Sequence, residues 1–179
     1  YTADGERIWI LGNAGNADDV RAAVECGAEG IGLFRSEFLY MESGDFPDEE
    51  KQYKAYAEAA EICGERPLTI RTLDIGGDKA LPYLDLEKEE NPFLGYRAIR
   101  ISLDMISQFK TQIRAILRAG AHGNVRMMFP MIATIEELVK IGQTLDVNFR
   151  SKFINNHTLL KVGYYIRGMF VLNEKYNSI

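Results

Sequence analysis

Short apolar runs recur along this chain, and each is followed by a segment with helical spacing. That alternation constrains the fold more than any other feature, because it is the pattern of βα units joined into a parallel sheet rather than of hairpins. Residues 8–11 (Ile-Trp-Ile-Leu) read as a first strand, residues 31–34 as a second that ends at Arg35, residues 68–70 as a third that ends at Arg71, and residues 125–129 as a fourth; residues 161–166 are compatible with a fifth. Between them, Asn16 is placed to cap a helix with Asp18 and Asp19 in its first turn and a stop at Gly27. Pro47 with Asp48, Glu49 and Glu50 opens another helix, which presents Tyr53, Tyr56, Ala57 and Ala60 on one face and stops at Gly64.

Residues 73–90 carry Gly76-Gly77, a proline and a cluster of charges, and read as a long functional loop. Asn91-Pro92 is the signature of a cap with proline at the first helical position, which would place Arg97 and Arg100 at i,i+3 on one helix. Ser107 is a candidate cap for the next helix, with Phe109, Ile113, Ile116 and Leu117 inward and a stop near Gly120 or Gly123. Thr134 and Glu137 form a capping box for a helix through about Leu145. From about residue 148 asparagines multiply and the helical period fades, so the chain divides into 1–147, a run of βα units, and 148–179, an atypical tail that reads as truncated or frameshifted.

Composition narrows the function classes. Of 179 residues, 21 are Lys or Arg and 26 Asp or Glu, a net charge of -5 that disfavours nucleic acid as a partner. Two cysteines, Cys26 and Cys63, provide no disulfide framework, and with His122 and His157 they make no recognisable zinc spacing; a reducing cytoplasm fits this usage. No apolar run reaches a membrane span, which predicts no membrane partner.

Arg35 and Arg71 stand directly after buried-type strands, where ligands of βα folds gather, and two guanidiniums so placed would converge on one anion. The Gly pair would let backbone N–H groups approach that anion, and Lys79 adds a cation to the same loop. Asp74 and Asp78 are open to two readings, metal ligation or orientation of the arginines, and orientation suits an arginine-rich pocket better. His122 at a helix end reads as a cation on the dipole, and both cysteines read as packed core.

Three ordered motifs carry a resemblance: Gly27-Ala-Glu-Gly-Ile-Gly-Leu-Phe-Arg-Ser-Glu-Phe-Leu-Tyr40, Ile70-Arg-Thr-Leu-Asp-Ile-Gly-Gly-Asp-Lys79 and Glu89-Glu-Asn-Pro-Phe-Leu-Gly-Tyr-Arg-Ala-Ile-Arg100. Together with Gln112-Ile-Arg-Ala-Ile-Leu-Arg-Ala119 and Met128-Phe-Pro-Met-Ile132, they resemble the phosphoenolpyruvate-binding domain of enzyme I, the phosphoenolpyruvate-protein phosphotransferase family of bacterial sugar transport, over roughly residues 4–140. The resemblance implies an α/β fold, a partial TIM (β/α)8 barrel of about four to five units. It also implies binding of phosphoenolpyruvate with Mg²⁺, phosphoryl transfer to a histidine on a separate domain and then to a histidine-containing phosphocarrier protein, and a homodimer. Arg35 and Arg71 match two substrate-binding arginines of the family and Arg97 a third; Asp74 and Lys79 belong to the substrate loop.

The sequence departs from the family at its fifth strand. A Mg²⁺-binding Glu is expected where Gly163-Tyr-Tyr-Ile-Arg167 stands, so the metal ligand is expected to be replaced by Arg167, which repels the ion. The expectation is half of a substrate site, no catalytic residue within the chain, no phosphotransferase activity of the chain alone, and marginal stability or self-association from unpaired strand edges. Two other readings stay open here, a fragment of a pyruvate phosphate dikinase or phosphoenolpyruvate synthase-like enzyme, and a non-catalytic remnant that binds anions or a partner.

Overall fold

The computed structural model describes residues 1–76, 79, 81–86, 90–91 and 94–145, and, as backbone, 162–166 and 169–172. In chain order the elements are β1 (Gly12–Ala14), α1 (Ala17–Glu25), β2 (Ile31–Arg35), α2 (Glu37–Met41), α3 (Glu49–Cys63), β3 (Leu68–Arg71), α4 (Ile99–Asp104), α5 (Ile106–Ala119), β4 (Val125–Phe129), α6 (Ile135–Thr144), β5 (Val162–Ile166) and β6 (Met169–Leu172). The sheet order is β1-β2-β3-β4-β5-β6. The first four pairings are parallel, and β5 turns back antiparallel into β6. Parallel strands alternating with helices in sequential order are the architecture of a partial (β/α) barrel.

Strand alternation divides the sheet into two unlike faces. Ile31, Phe34, Leu68, Ile70, Val125, Met127 and Phe129 join one core cluster with Tyr56, Ala60, Ile113 and Ile116 of α3 and α5. Phe34 meets Tyr56, and Phe109 meets Phe129, edge to face at 6.0 Å between centroids. The opposite face carries Arg35, Thr69, Arg71, Arg126 and Met128, aligned by the register pairs Arg35 with Arg71, Arg71 with Met128, and Thr69 with Arg126.

Helix ends follow local chemistry. Asn16 accepts from the Asp19 N–H, Asp48 from the Lys51 N–H, and Thr134 with Glu137 closes a full capping box. Gly64 and Gly120 end α3 and α5 as expected.

Several sequence expectations need correction. The apolar run Ile8, Trp9, Ile10 and Leu11 is exposed, and the first strand is Gly12–Ala14. The backbone of that run is taken instead by Glu29, whose carboxylate accepts from the Ile10 N–H and whose own N–H donates to the Ile10 carbonyl; sheet pairing begins only at Gly12. The helix expected from Asn91-Pro92 starts at Ile99, because the Ala98 N–H donates to the Ile75 carbonyl and draws residues 94–98 across the loop as turns. Ser107 lies inside α5 rather than capping it. Cys26 is exposed at the end of α1, while Cys63 is buried. The expected fifth strand is present as Val162–Ile166, parallel to β4.

Candidate functional site

The carboxyl ends of β2 and β3 bring the expected arginines side by side, since Arg35 and Arg71 are register partners on the face turned away from the core. Arg35 lies over the Phe38 ring, with its guanidinium carbon 4.5 Å from the centroid. Arg71 is held from two sides, by Glu37 (Nη2 to Oε1, 2.5 Å) and by Asp74 (Nη1 to Oδ2, 3.0 Å). Asp74 also binds Arg97 through Oδ1 at 2.9 Å, and Lys79 reaches Glu37 at 2.8 Å and Asp74 at 3.7 Å. Three cations share two carboxylates, and with Arg35 beside them these six groups carry two net positive charges.

Asp74 is therefore placed to orient arginines rather than to ligate a metal. Arg97 is drawn in by that carboxylate from a turn, not from a helix; Arg100, its expected neighbour on one helix face, instead donates to the Leu94 and Gly95 carbonyls and pairs with Glu137. The glycine signal also has a different cause. Gly76 has φ +108°, and a Cβ there would stand 2.5 Å from the Arg97 Cβ, so glycine is required for the close pass of the Arg97 segment. Gly77, Asp78 and Arg167 lie outside the described residues. His122, in the turn after α5, is bonded to Tyr53 and Glu61 of α3 at 2.8 Å each, and takes no part in the site.

Sequence reasoning missed Glu37. It is only 1% exposed, at the start of α2, a five-residue helix that the apolar pattern did not announce. The available signal was its position two residues after Arg35: a carboxylate directly behind a strand-end arginine can pair with a cation of the neighbouring strand.

Behind the salt bridges stands a buried polar network. The Ser36 hydroxyl donates to the Arg71 carbonyl at 2.6 Å, and the Gln112 amide reaches Ser36, Tyr56 and the Leu73 N–H. Tyr40 and Tyr56 both donate to the Gln52 carbonyl oxygen. Burial pushes both phenols well above their ordinary range, so they remain protonated donors.

On the sheet side of this network, Arg35 Nε, Arg71 Nε, Glu37 Oε2 and Thr72 Oγ1 are buried without a hydrogen-bond partner among the described residues. Buried polar atoms are nearly always satisfied in a finished site, so such a concentration marks a place where further polar groups belong. Glu37 Oε1 and both Asp74 oxygens are held by cations, and no set of three His, Cys, Asp or Glu among the described residues could hold an ion. The described residues thus do not fit the Mg²⁺ that the sequence resemblance implies.

Comparison with known proteins agrees with this chemistry. The family model described as PEP-utilising enzyme, PEP-binding domain, matches residues 1–168. Phosphoenolpyruvate-protein phosphotransferase of Bacillus sp. (strain S) is 55% identical over 136 residues, 76% of this chain and 24% of the relative. Its counterpart from Enterococcus faecalis is 49% identical over 156 residues, covering 86% and 27%, and that of Mycoplasma genitalium 53% identical over 144 residues, covering 80% and 25%. The chain spans about a quarter of the length of these curated relatives. Over nearly its whole length, then, this chain belongs to the PEP-binding domain family of the PEP-utilising enzymes.

Proposed function

We propose that this chain supplies the arginine half of a phosphoenolpyruvate site in an enzyme I of the bacterial sugar phosphotransferase system. The observation that carries the reading is the pairing of Arg35 and Arg71 at adjacent strand ends, with buried polar atoms of both left without partners. Phosphoenolpyruvate offers a phosphate and a carboxylate, the two groups that a guanidinium fork recognises best. Arg35 and Arg71 bind these anionic groups directly. Arg97, buried, acts through Asp74, and Lys79 acts through Glu37; the two carboxylates hold Arg71 in a fixed direction.

Fixed cations at this mouth stabilise charge on the phosphoryl group as it leaves. The acceptor histidine, the phosphocarrier protein that receives the group next, the partner subunit of a homodimer and the cytoplasmic setting belong to the whole enzyme. No helix among the described residues is long and apolar enough to cross a membrane.

Titration calorimetry with phosphoenolpyruvate tests the reading. The isolated chain should bind no tighter than about millimolar, near -4 kcal/mol, and Arg35→Ala and Arg71→Ala should each weaken binding further. Incubation with labelled phosphoenolpyruvate and the carrier should leave both proteins unlabelled. Binding indifferent to both substitutions, or turnover above background, would overturn the proposal.

A further inference from the structure

We infer that Gln112 is a positioning residue of this site: one buried amide that locks the strand end bearing Arg35 and Glu37 to the strand end bearing Arg71 and Asp74. The inference rests on the substrate-site reading above and names a residue through which that site is held.

The geometry is specific. Gln112 sits on α5, on the core side of the sheet, and is 1% exposed. Its side-chain NH₂ donates to Ser36 Oγ at 3.1 Å and to Tyr56 OH at 3.2 Å, and its carbonyl oxygen accepts from the Leu73 N–H at 2.9 Å. Both donors and the acceptor are in use. The Leu73 N–H fixes the direction of the amide, because the reversed orientation would set a donor against a donor.

What these partners adjoin makes the contacts functional. Ser36 lies between Arg35 and Glu37, and Leu73 directly precedes Asp74, the carboxylate that holds Arg71 and Arg97. Ser36 also donates to the Arg71 carbonyl, so Gln112, Ser36 and Arg71 form one chain of hydrogen bonds across two strands. Among the described residues the Gln112 side chain bonds Ser36, Tyr56 and Leu73 and none of the arginines. Its effect reaches the substrate only through the register of the two strand ends, and hence through the direction of the Arg71 guanidinium.

A double-mutant cycle separates positioning from plain stability, because residues that act through one another give non-additive effects and independent ones add. Phosphoenolpyruvate is titrated into ¹⁵N-labelled wild type, Gln112→Met, Arg71→Lys and the double variant, following backbone amides and the arginine Nε–H signals, with thermal unfolding of each protein recorded alongside. Gln112→Met should weaken binding about tenfold, the scale of one or two buried hydrogen bonds lost, and should shift the Arg71 Nε–H resonance before ligand is added. In the Arg71→Lys background, whose ammonium has no fork to aim, the same change should cost less than about twofold.

Ser36→Ala removes one hydroxyl from the same chain at nearly constant volume, and carries the comparison should the methionine variant fail to fold. Equal losses in both backgrounds would reduce Gln112 to a stability residue and overturn the inference. Binding that depends on Arg71 but is untouched by Gln112→Met and Ser36→Ala would also overturn it, leaving the substrate site standing. Binding independent of Arg71 would remove the site reading and this inference together.

Discussion

Replacing Glu37 by Gln should move stability and anion affinity in opposite directions. In the folded chain Glu37 is 1% exposed and neutralises Arg71, 14% exposed, and Lys79, 28% exposed. Breaking a buried pair typically costs about 3–5 kcal/mol, because the remaining charge stays desolvated. Here the value should fall at the low end, about 3 kcal/mol, since Arg71 keeps Asp74 at 3.0 Å and Lys79 can turn to water. The amide keeps the volume of the carboxylate and an oxygen for the Arg71 N–H, so Arg71 stays aimed.

Binding gains from the same change. An anion on Arg71 would lie roughly 6 Å from Glu37, and at an effective dielectric near 20 the repulsion removed is at most about 3 kcal/mol. Salt and the open mouth reduce this to about 1 kcal/mol, or roughly fivefold tighter phosphate binding. Urea unfolding gives the stability change, and calorimetry with inorganic phosphate at two ionic strengths gives the affinity change. Unchanged stability, or weaker phosphate binding, would refute the view that Glu37 is a charge-balancing partner of a preformed cation cluster.

Three further outcomes follow from the same structure. Glu49 and Glu137 are drawn below the ordinary 4.5: burial alone would raise each, but Arg114 and Arg118 outweigh it for Glu49, and the Ala133 and Thr134 N–H groups with Arg100 outweigh it for Glu137. A depressed folded pKa contributes stability above 4.5 that is lost as pH falls through the folded value, so Tm should hold from pH 7 to 5 and drop below about 4.5, and Glu49→Gln with Glu137→Gln should flatten that acid limb. Burial pushes the Cys63 thiol up to about 11 while Cys26 is exposed, so a disulfide reagent at pH 8 should titrate one thiol in the native chain and two after denaturation. Gly76→Ala should lower the unfolding free energy by about 2 kcal/mol or more in a denaturant titration, from the positive φ and the Arg97 contact together.

How much of the site was legible varies by residue. Arg35 and Arg71 could be placed from sequence because a charged residue after a buried strand has few other positions in a βα fold, and the strand register sets them side by side. Asp74 was legible as a partner of arginines, though not which ones. Glu37 and Gln112 were not legible. Glu37 stands in a helix too short to show a period. Gln112 resembles any polar residue on an amphipathic helix until its partners, 39, 56 and 76 positions away, are brought to it.

The sequence by itself determined the alternation of strands and helices, the caps at Asn16 and Thr134, and the strand ends that carry the arginines. These depend on neighbours within a few residues, where propensity, capping and side-chain period act directly. Tertiary structure decided where the first strand begins, why the Arg97 segment turns instead of forming a helix, and how charge is divided at the mouth of the sheet. Each depends on a partner distant in sequence: Glu29 takes up the Ile10 backbone, the Ile75 carbonyl holds Ala98, Glu37 takes Arg71 and Lys79, and Asp74 takes Arg97. Backbone hydrogen bonds need donor and acceptor within about 3 Å, and charges in salt solution act over about 10 Å, so a linear sequence shows which groups are available, and only the folded chain shows which of them meet.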